Sequence, residues 1–363
     1  MHNITRLYYE RCLKLGLSPI AHDLVMDGFS VQLGKHFYHF RGGFTPFNDI
    51  ASTSIGMNKF STNKLLAEAG IPVPNAIAIT QGDYKSNNYD LAEIKFPVVV
   101  KPTWHSACGH FVVCNIKDKE TLVAYIEKNI KHQKCLSIEE FQKGLRSYRV
   151  LVFYNKVIGV VERIPAHVVG DGESTIRKLI KEQNIIRKQL KKTIPTGPIQ
   201  IGEETKILFA EKGITLDYIP SKDETVPLRY ICNSTYGGTF TSLKTDIICK
   251  ENAKLAIRSA RALNLNLVGF DVLCEDISKP IAESRGFFIE ANTDPDITIH
   301  EKSINGIPNP VSKIIIGKLI QQHPFLYIAK YFSNHPYLSL FSKTSAAIAL
   351  FLAFLWGLHL YAQ

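Results

Sequence analysis

The segments LNLVGFDVL (265–273) and FFIEANTDPD (287–296) decide the fold, because each reads as a strand carrying oxygen-bearing side chains. Side chains alternate across a strand, which turns Glu290 and Asn292 to one face and Ala291 to the other. A neighbouring strand can bring Asp271 to the same place. Asp, Glu and Asn supply hard oxygen ligands, the set that Mg²⁺ takes when it also holds phosphate groups. Two readings stand at this point: a metal-and-phosphate site, or two core strands that close in ordinary acidic turns.

Working outward, ENAKLAIRSARALN supplies a helix before the first of these strands, and VSKIIIGKLIQQH another after the second. Far upstream, FPVVVKP (96–102) reads as a buried strand, TWHSACGH as a small-residue loop and FVVCNI as the returning strand of a hairpin. KETLVAYIEKNI is a helix that leads to CLSIEEF, and RVLVFYNKVIGVVERIP is a hairpin turning at Asn155 and Lys156. NKFSTNKLLAEAG (58–70) has apolar residues at helical spacing and stops at Gly70, with Pro72 and Pro74 beyond. The first 55 residues open with an amphipathic helix, ITRLYYERCLKLGL, then strand-like FSVQLG and KHFYHF, and form a small leading subdomain. Residues 172–192 read as helical, 193–227 as an irregular polar insertion, and NSTYGGT (233–239) as a glycine-containing loop.

With 363 residues, 45% hydrophobic and 21% charged, the chain is long enough for a large core divided among subdomains. A formal charge of +10 fits a polyanionic partner. The basic residues are scattered and no nucleic-acid-binding signature is present, which argues against nucleic acid and leaves nucleotide phosphates or an anionic membrane. Seven cysteines without CxxC spacing, and no signal-peptide pattern at the N-terminus, point to the cytoplasm and away from structural zinc. The tail differs in kind. TSAAIALFLAFLWGLHLY (344–361) holds no Asp, Glu, Lys or Arg, and as a helix would run about 27 Å, near the roughly 30 Å of bilayer hydrocarbon. It reads first as a C-terminal membrane anchor on the cytoplasmic face, flanked by Lys343 and carrying Trp356 and Tyr361 as interfacial aromatics; the alternative, which His359 and the marginal length support, is a buried or homo-oligomer-forming helix.

In this order the elements resemble the ATP-grasp fold, and within it the ATP-grasp part of cyanophycin synthetases and bifunctional glutathione synthetases. The resemblance runs from about Val31 to Leu319 and is densest in FSTNKLLAEAGIPVP, FPVVVKP, EEFQKGLRSYRVLV, VERIPAHVVGDGESTIRKLI, NSTYGGT and FIEANTDP. It implies an α+β protein with two α+β lobes gripping ATP over residues 56–325, to which the residue pattern adds a small N-terminal subdomain (1–55) and a hydrophobic C-terminal helix (326–363).

The resemblance also implies roles for individual residues. Lys59 and Lys101 hold phosphates; the latter stands directly after the apolar FPVVV, where a buried charge calls for a reason. Thr103 to His110 is the loop that closes over the phosphates, though it offers only Gly109 and carries Trp104, His105 and Cys108 where the family has more glycine. Glu139 accepts from the adenine amino group, with backbone contacts from Glu140, Phe141 and Gln142. Where the family has an acid for the ribose, this chain has Arg146 and Ser147. Arg149 and Arg163, on two strands of one hairpin, hold the reacting carboxylate or acyl phosphate, or else form surface salt bridges. Asp271, Glu290 and Asn292 bind two Mg²⁺ ions, with Mn²⁺ as a substitute. HVVGDG and NSTYGGT, with Arg229 upstream, shape the acceptor side; Asp296 either selects a cationic amine or is a turn residue. Gly269 stands where D-alanine ligases carry an arginine.

The expected activity is that of an ATP-dependent carboxylate–amine ligase acting through an acyl phosphate on small-molecule acids and amines of amino-acid or small-peptide type. The rival is a membrane-tethered ATP-binding scaffold without turnover, favoured by the glycine-poor loop and the missing ribose acid.

Overall fold

A computed structural model describes residues 1–22, 26–92, 94–104, 111–191, 194–302 and 305–335, then residues 337, 340, 343–345 and 348–353. Gly109 and its neighbours 105–110 lie outside the described residues, as do 354–363 of the tail. Two compact units are present, one built from residues 1–42 and 312–363 and the other from 43–311.

In chain order the elements are α1 (Asn3–Lys14), β1 (Pro19–Ala21), β2 (Gly28–Leu33), β3 (His36–Arg41), α2 (Ile50–Met57), α3 (Lys59–Glu68), β4 (Ala76–Thr80), α4 (Gln81–Lys85), β5 (Val98–Pro102), β6 (Val113–Ile116), α5 (Lys119–Asn129) and β7 (Cys135–Glu140). There follow β8 (Arg146–Phe153), β9 (Lys156–Ile164), β10 (His167–Val169), α6 (Ile176–Leu190), α7 (Glu203–Lys212), β11 (Thr225–Pro227), β12 (Thr239–Leu243), α8 (Lys250–Ala262), β13 (Leu267–Cys274), β14 (Gly286–Asn292), α9 (Thr298–Glu301), β15 (Asn305–Gly306), α10 (Val311–Gln322) and α11 (Pro324–Asn334).

The smaller unit is an antiparallel β1-β2-β3 sheet with α1, the Ser312–Gln322 part of α10, and α11. Aromatic residues make its core: Phe29 and Phe40 stack with ring centroids 4.9 Å apart and Tyr8 leans on Phe40 at 5.5 Å. Among the described residues no helix is long and apolar enough to cross a membrane. Thus the expected spanning helix at 344–361 is not seen there; the described parts, 343–345 and 348–353, are helical and exposed.

The larger unit carries a four-stranded sheet, β4-β7-β5-β6, and a six-stranded one, β14-β13-β8-β9-β12-β15. Alternation builds the second sheet. Tyr148, Val150 and Val152 of β8 join Val268, Phe270 and Val272 of β13 in one core with Ala256 and Ala260 of α8 and Leu66 of α3. The intervening residues, Arg149 and Asp271 among them, face the other way. Helix α3 ends as its sequence requires: Gly70 takes φ +66° and the Ile71 amide returns to Leu66 O at 2.9 Å.

Two local expectations are corrected. The β8–β9 hairpin turns at Tyr154 and Asn155, with Tyr154 at φ 51°, while Lys156 already belongs to β9. The stretch 193–227 is no irregular insertion, because it contains α7 and β11 and shares an apolar core with β10 and α6 through Ile199, Leu208, Phe209 and Val226. Its helix carries no 3.6-residue period in the sequence, because Ile207, Leu208 and Phe209 are consecutive.

Candidate functional site

A β-bulge sets the geometry of the site. In β13–β14, Asp271 pairs with Glu290 but Val272 pairs with Phe288, which leaves Ile289 as the extra residue. Simple alternation would place Phe288 and Glu290 on one face. With the bulge, Phe288 joins the core, where its ring lies 5.7 Å from that of Phe270, and Glu290 stands beside Asp271 on the opposite face. Asn292, opposite Gly269, shares that face.

This face lines a cavity of about 820 Å³ whose other walls come from β5, β6, β7, the segment after β7, α7 and the stretch 227–233. The residues expected to act together do meet in it: Lys59, Lys101, Glu139, Glu140, Phe141, Gln142, Arg149, Arg163, Asp271, Glu290 and Asn292 all line the cavity. Arg149 Nε and Arg163 Nη1 each donate to one oxygen of Asp271 at 2.5 Å. Burial pushes the Asp271 carboxyl up, but the two guanidinium groups more than reverse it and hold it down to about 2. Arg163 also donates to Cys232 O, which fixes its plane. These arginines are therefore not surface salt bridges.

Lys101 donates to Glu139 Oε2 at 2.8 Å and to Ile289 O, the bulge carbonyl, at 3.4 Å. Burial lowers the affinity of its amine for a proton, and Glu139 with Glu290 outweighs that, so the net direction is upward. Lys59 lies 3.0 Å from Glu290 Oε1. The backbone amides of Glu140 and Phe141 donate to Asn75 O at 3.1 Å and Pro97 O at 2.8 Å, and Glu140 O accepts from Gln142 Nε2 at 3.3 Å.

The donor set fits a hard divalent cation. Asp271 and Glu290 bring carboxylate oxygens, and Asn292, whose Nδ2 donates to Gly269 O at 3.2 Å, keeps Oδ1 for a cation. Among the described residues no group of three or more His, Cys, Asp or Glu is placed to hold a metal, consistent with a set that includes an amide. Gly269 is required by close approach: a Cβ there would fall 2.8 Å from Arg149 Cδ. Asp296 accepts from Thr298 N at 2.8 Å and from its hydroxyl at 2.5 Å, the behaviour of a turn residue.

Some cavity residues have no signal in the sequence. Arg146, where an acid was expected, lies 2.7 Å from Glu162 of β9, so a carboxylate reaches this place from the adjacent strand. Glu211 of α7 accepts from Tyr230 Oη at 2.7 Å and from Asn115, and pairs with Lys117 at 3.0 Å and Lys143 at 3.6 Å. These residues are far apart in the chain and stand in no spacing that periodicity could reveal.

A RimK-like ATP-grasp domain matches residues 56–189. The crystal structure of a bifunctional glutathione synthetase from Pasteurella multocida superposes with a TM-score of 0.61 over 89% of this chain and 44% of that one, at 24% identity. The chain belongs to the ATP-grasp superfamily. In sequence, this ATP-grasp chain is 32% identical over 300 residues to cyanophycin synthetase of Trichormus variabilis, covering 80% of its own length and 32% of the relative's. It is 28% identical over 298 residues to the bifunctional glutathione biosynthesis protein of Mannheimia succiniciproducens, covering 80% of its own length and 39% of the relative's. The chain therefore spans about a third to two fifths of the length of these curated relatives. Its α+β architecture is that of the ATP-grasp fold.

Proposed function

We propose that the protein is an ADP-forming carboxylate–amine ligase that uses ATP and Mg²⁺ to make an amide or peptide bond between amino-acid or small-peptide substrates. One observation carries this reading: two arginines, two lysines and the Asp271, Glu290, Asn292 set converge in one cavity large enough for a nucleotide. Phosphoryl transfer asks for positioning and charge neutralisation rather than a covalent nucleophile. Lys59 and Lys101 would hold phosphate oxygens, and the carbonyls along 140–142 with the Glu139 carboxylate would meet the base. Glu162 would offer its carboxylate to the ribose. Asp271, Glu290 and Asn292 would hold Mg²⁺, which when bound neutralises phosphate charge.

A substrate carboxylate oxygen attacks the γ-phosphorus, ADP leaves, and an acyl phosphate remains. Arg149 and Arg163 stabilise its negative charge. An amine nitrogen then attacks the acyl carbon, phosphate departs and the amine loses a proton. Residues 56–325 carry this chemistry in our reading, with 1–55 and 326–363 as attachments, the latter a membrane anchor or an oligomer contact on the cytoplasmic side. ADP release by the full chain, screened against pools of amino acids and dipeptides, tests the proposal. Nucleotide binding without pool-dependent ADP release would refute the ligase reading and favour a binding scaffold.

A further inference from the structure

Helix α11 packs on its own unit through Tyr327, Tyr331 and Asn334 and leaves an apolar stripe on its other side, whereas a helix on a water-exposed surface turns its apolar stripe inward. Its first face packs on its own unit: Tyr327 Oη donates to Leu15 O at 2.7 Å, Asn334 Nδ2 donates to Ser18 Oγ at 2.8 Å, and Tyr331 lies against Gly16. Its second face is a stripe at i, i+3, i+4 and i+7, formed by Phe325, Ile328, Ala329 and Phe332. Phe325 at the head of this stripe is 84% exposed and Ile328 48%.

We propose that this stripe seats α11 in the interface of an anionic lipid bilayer, lying in the membrane plane with the packed face turned to the protein. Two observations select a bilayer. A tail folded back over the stripe would bury its own apolar side chains, yet Tyr337, Leu340, Ile348, Leu350, Phe351 and Leu352 are 58 to 88% exposed. From Ser312 to Gln363 the sequence has four lysines and no Asp, Glu or Arg, which complements an anionic leaflet and would repel a second copy. The proposal is independent of the ligase reading and of a spanning tail.

The test uses the full chain and sedimentation with vesicles of phosphatidylcholine alone or mixed with phosphatidylserine. Wild type should pellet with the mixed vesicles and far less with phosphatidylcholine. Phe325→Glu combined with Ile328→Glu should lower partitioning at least about tenfold, since both side chains leave the apolar phase. Because these positions are exposed, urea midpoint and ADP release should stay at wild-type values. Leu350→Glu with Phe351→Glu measures the share of the tail. The proposal is overturned if wild type ignores mixed vesicles, if the α11 variant partitions like wild type, or if that variant merely converts a dimer to a monomer.

Discussion

Replacing Lys101 with Met probes the site most sharply, because the structure gives that lysine two duties. Lys101 Nζ lies 2.8 Å from Glu139 Oε2, and the two side chains are only 9% and 3% exposed. Methionine fills the stem volume but leaves an ionised carboxylate buried without its partner. Breaking one side of such a pair costs about 3–5 kcal/mol, a large part of the roughly 5–15 kcal/mol that holds a domain together. Replacing Glu139 by Gln as well removes the orphaned charge, and the double variant should return to within about 1 kcal/mol of wild type. Nucleotide affinity should behave differently: Lys101→Met lacks the ammonium and should bind ATP about 10- to 150-fold more weakly, the loss of one charge-assisted hydrogen bond, and the double variant, which also loses the Glu139 carboxylate, should bind no more tightly than that. Urea unfolding gives the first quantity and calorimetry with ATP the second. If Lys101→Met is as stable as wild type, or if the double variant stays as unstable as the single, the buried pair is not what anchors Lys101. If stability behaves as described but ATP affinity is unchanged, Lys101 is structural and holds no phosphate.

Other outcomes follow from the same geometry. Glu290→Gln, at a partly exposed position paired with Lys59, should lower ADP release by orders of magnitude with an unchanged urea midpoint; near-normal turnover would remove Glu290 from the metal set. Gly269→Ala would put a Cβ 2.8 Å from Arg149 Cδ, lifting the guanidinium off Asp271, so turnover should fall more than stability does; wild-type kinetics would show that Arg149 need not sit there. Burial first, and Arg149 second, hold the fully buried His300 imidazole down from 6.5 to about 3. A depressed value contributes stability that is complete above about 6.5 and is lost toward pH 3, at about 1.4 kcal/mol per pH unit. His300→Asn should therefore lower stability at pH 7 yet fall less steeply between about pH 6 and 4, and parallel pH profiles would contradict the assignment.

The sequence by itself determined the strands and helices with a clear period, the stop of α3 at Gly70, and the oxygen-bearing residues of β13 and β14. Those are local: a residue's face follows from its strand neighbours, and a charge directly after FPVVV announces itself against its apolar context. Only the tertiary structure decided that Arg149 and Arg163 both clamp Asp271, that Glu162 stands beside Arg146, and that Lys101 is held by Glu139. Each joins residues on different strands, whose pairing no spacing along the chain records. The bulge at Ile289 is the clearest case. Alternation alone puts Phe288 and Glu290 on one face; one extra residue, fixed by the pairing of β14 with β13, sends the ring into the core and the carboxylate into the cavity.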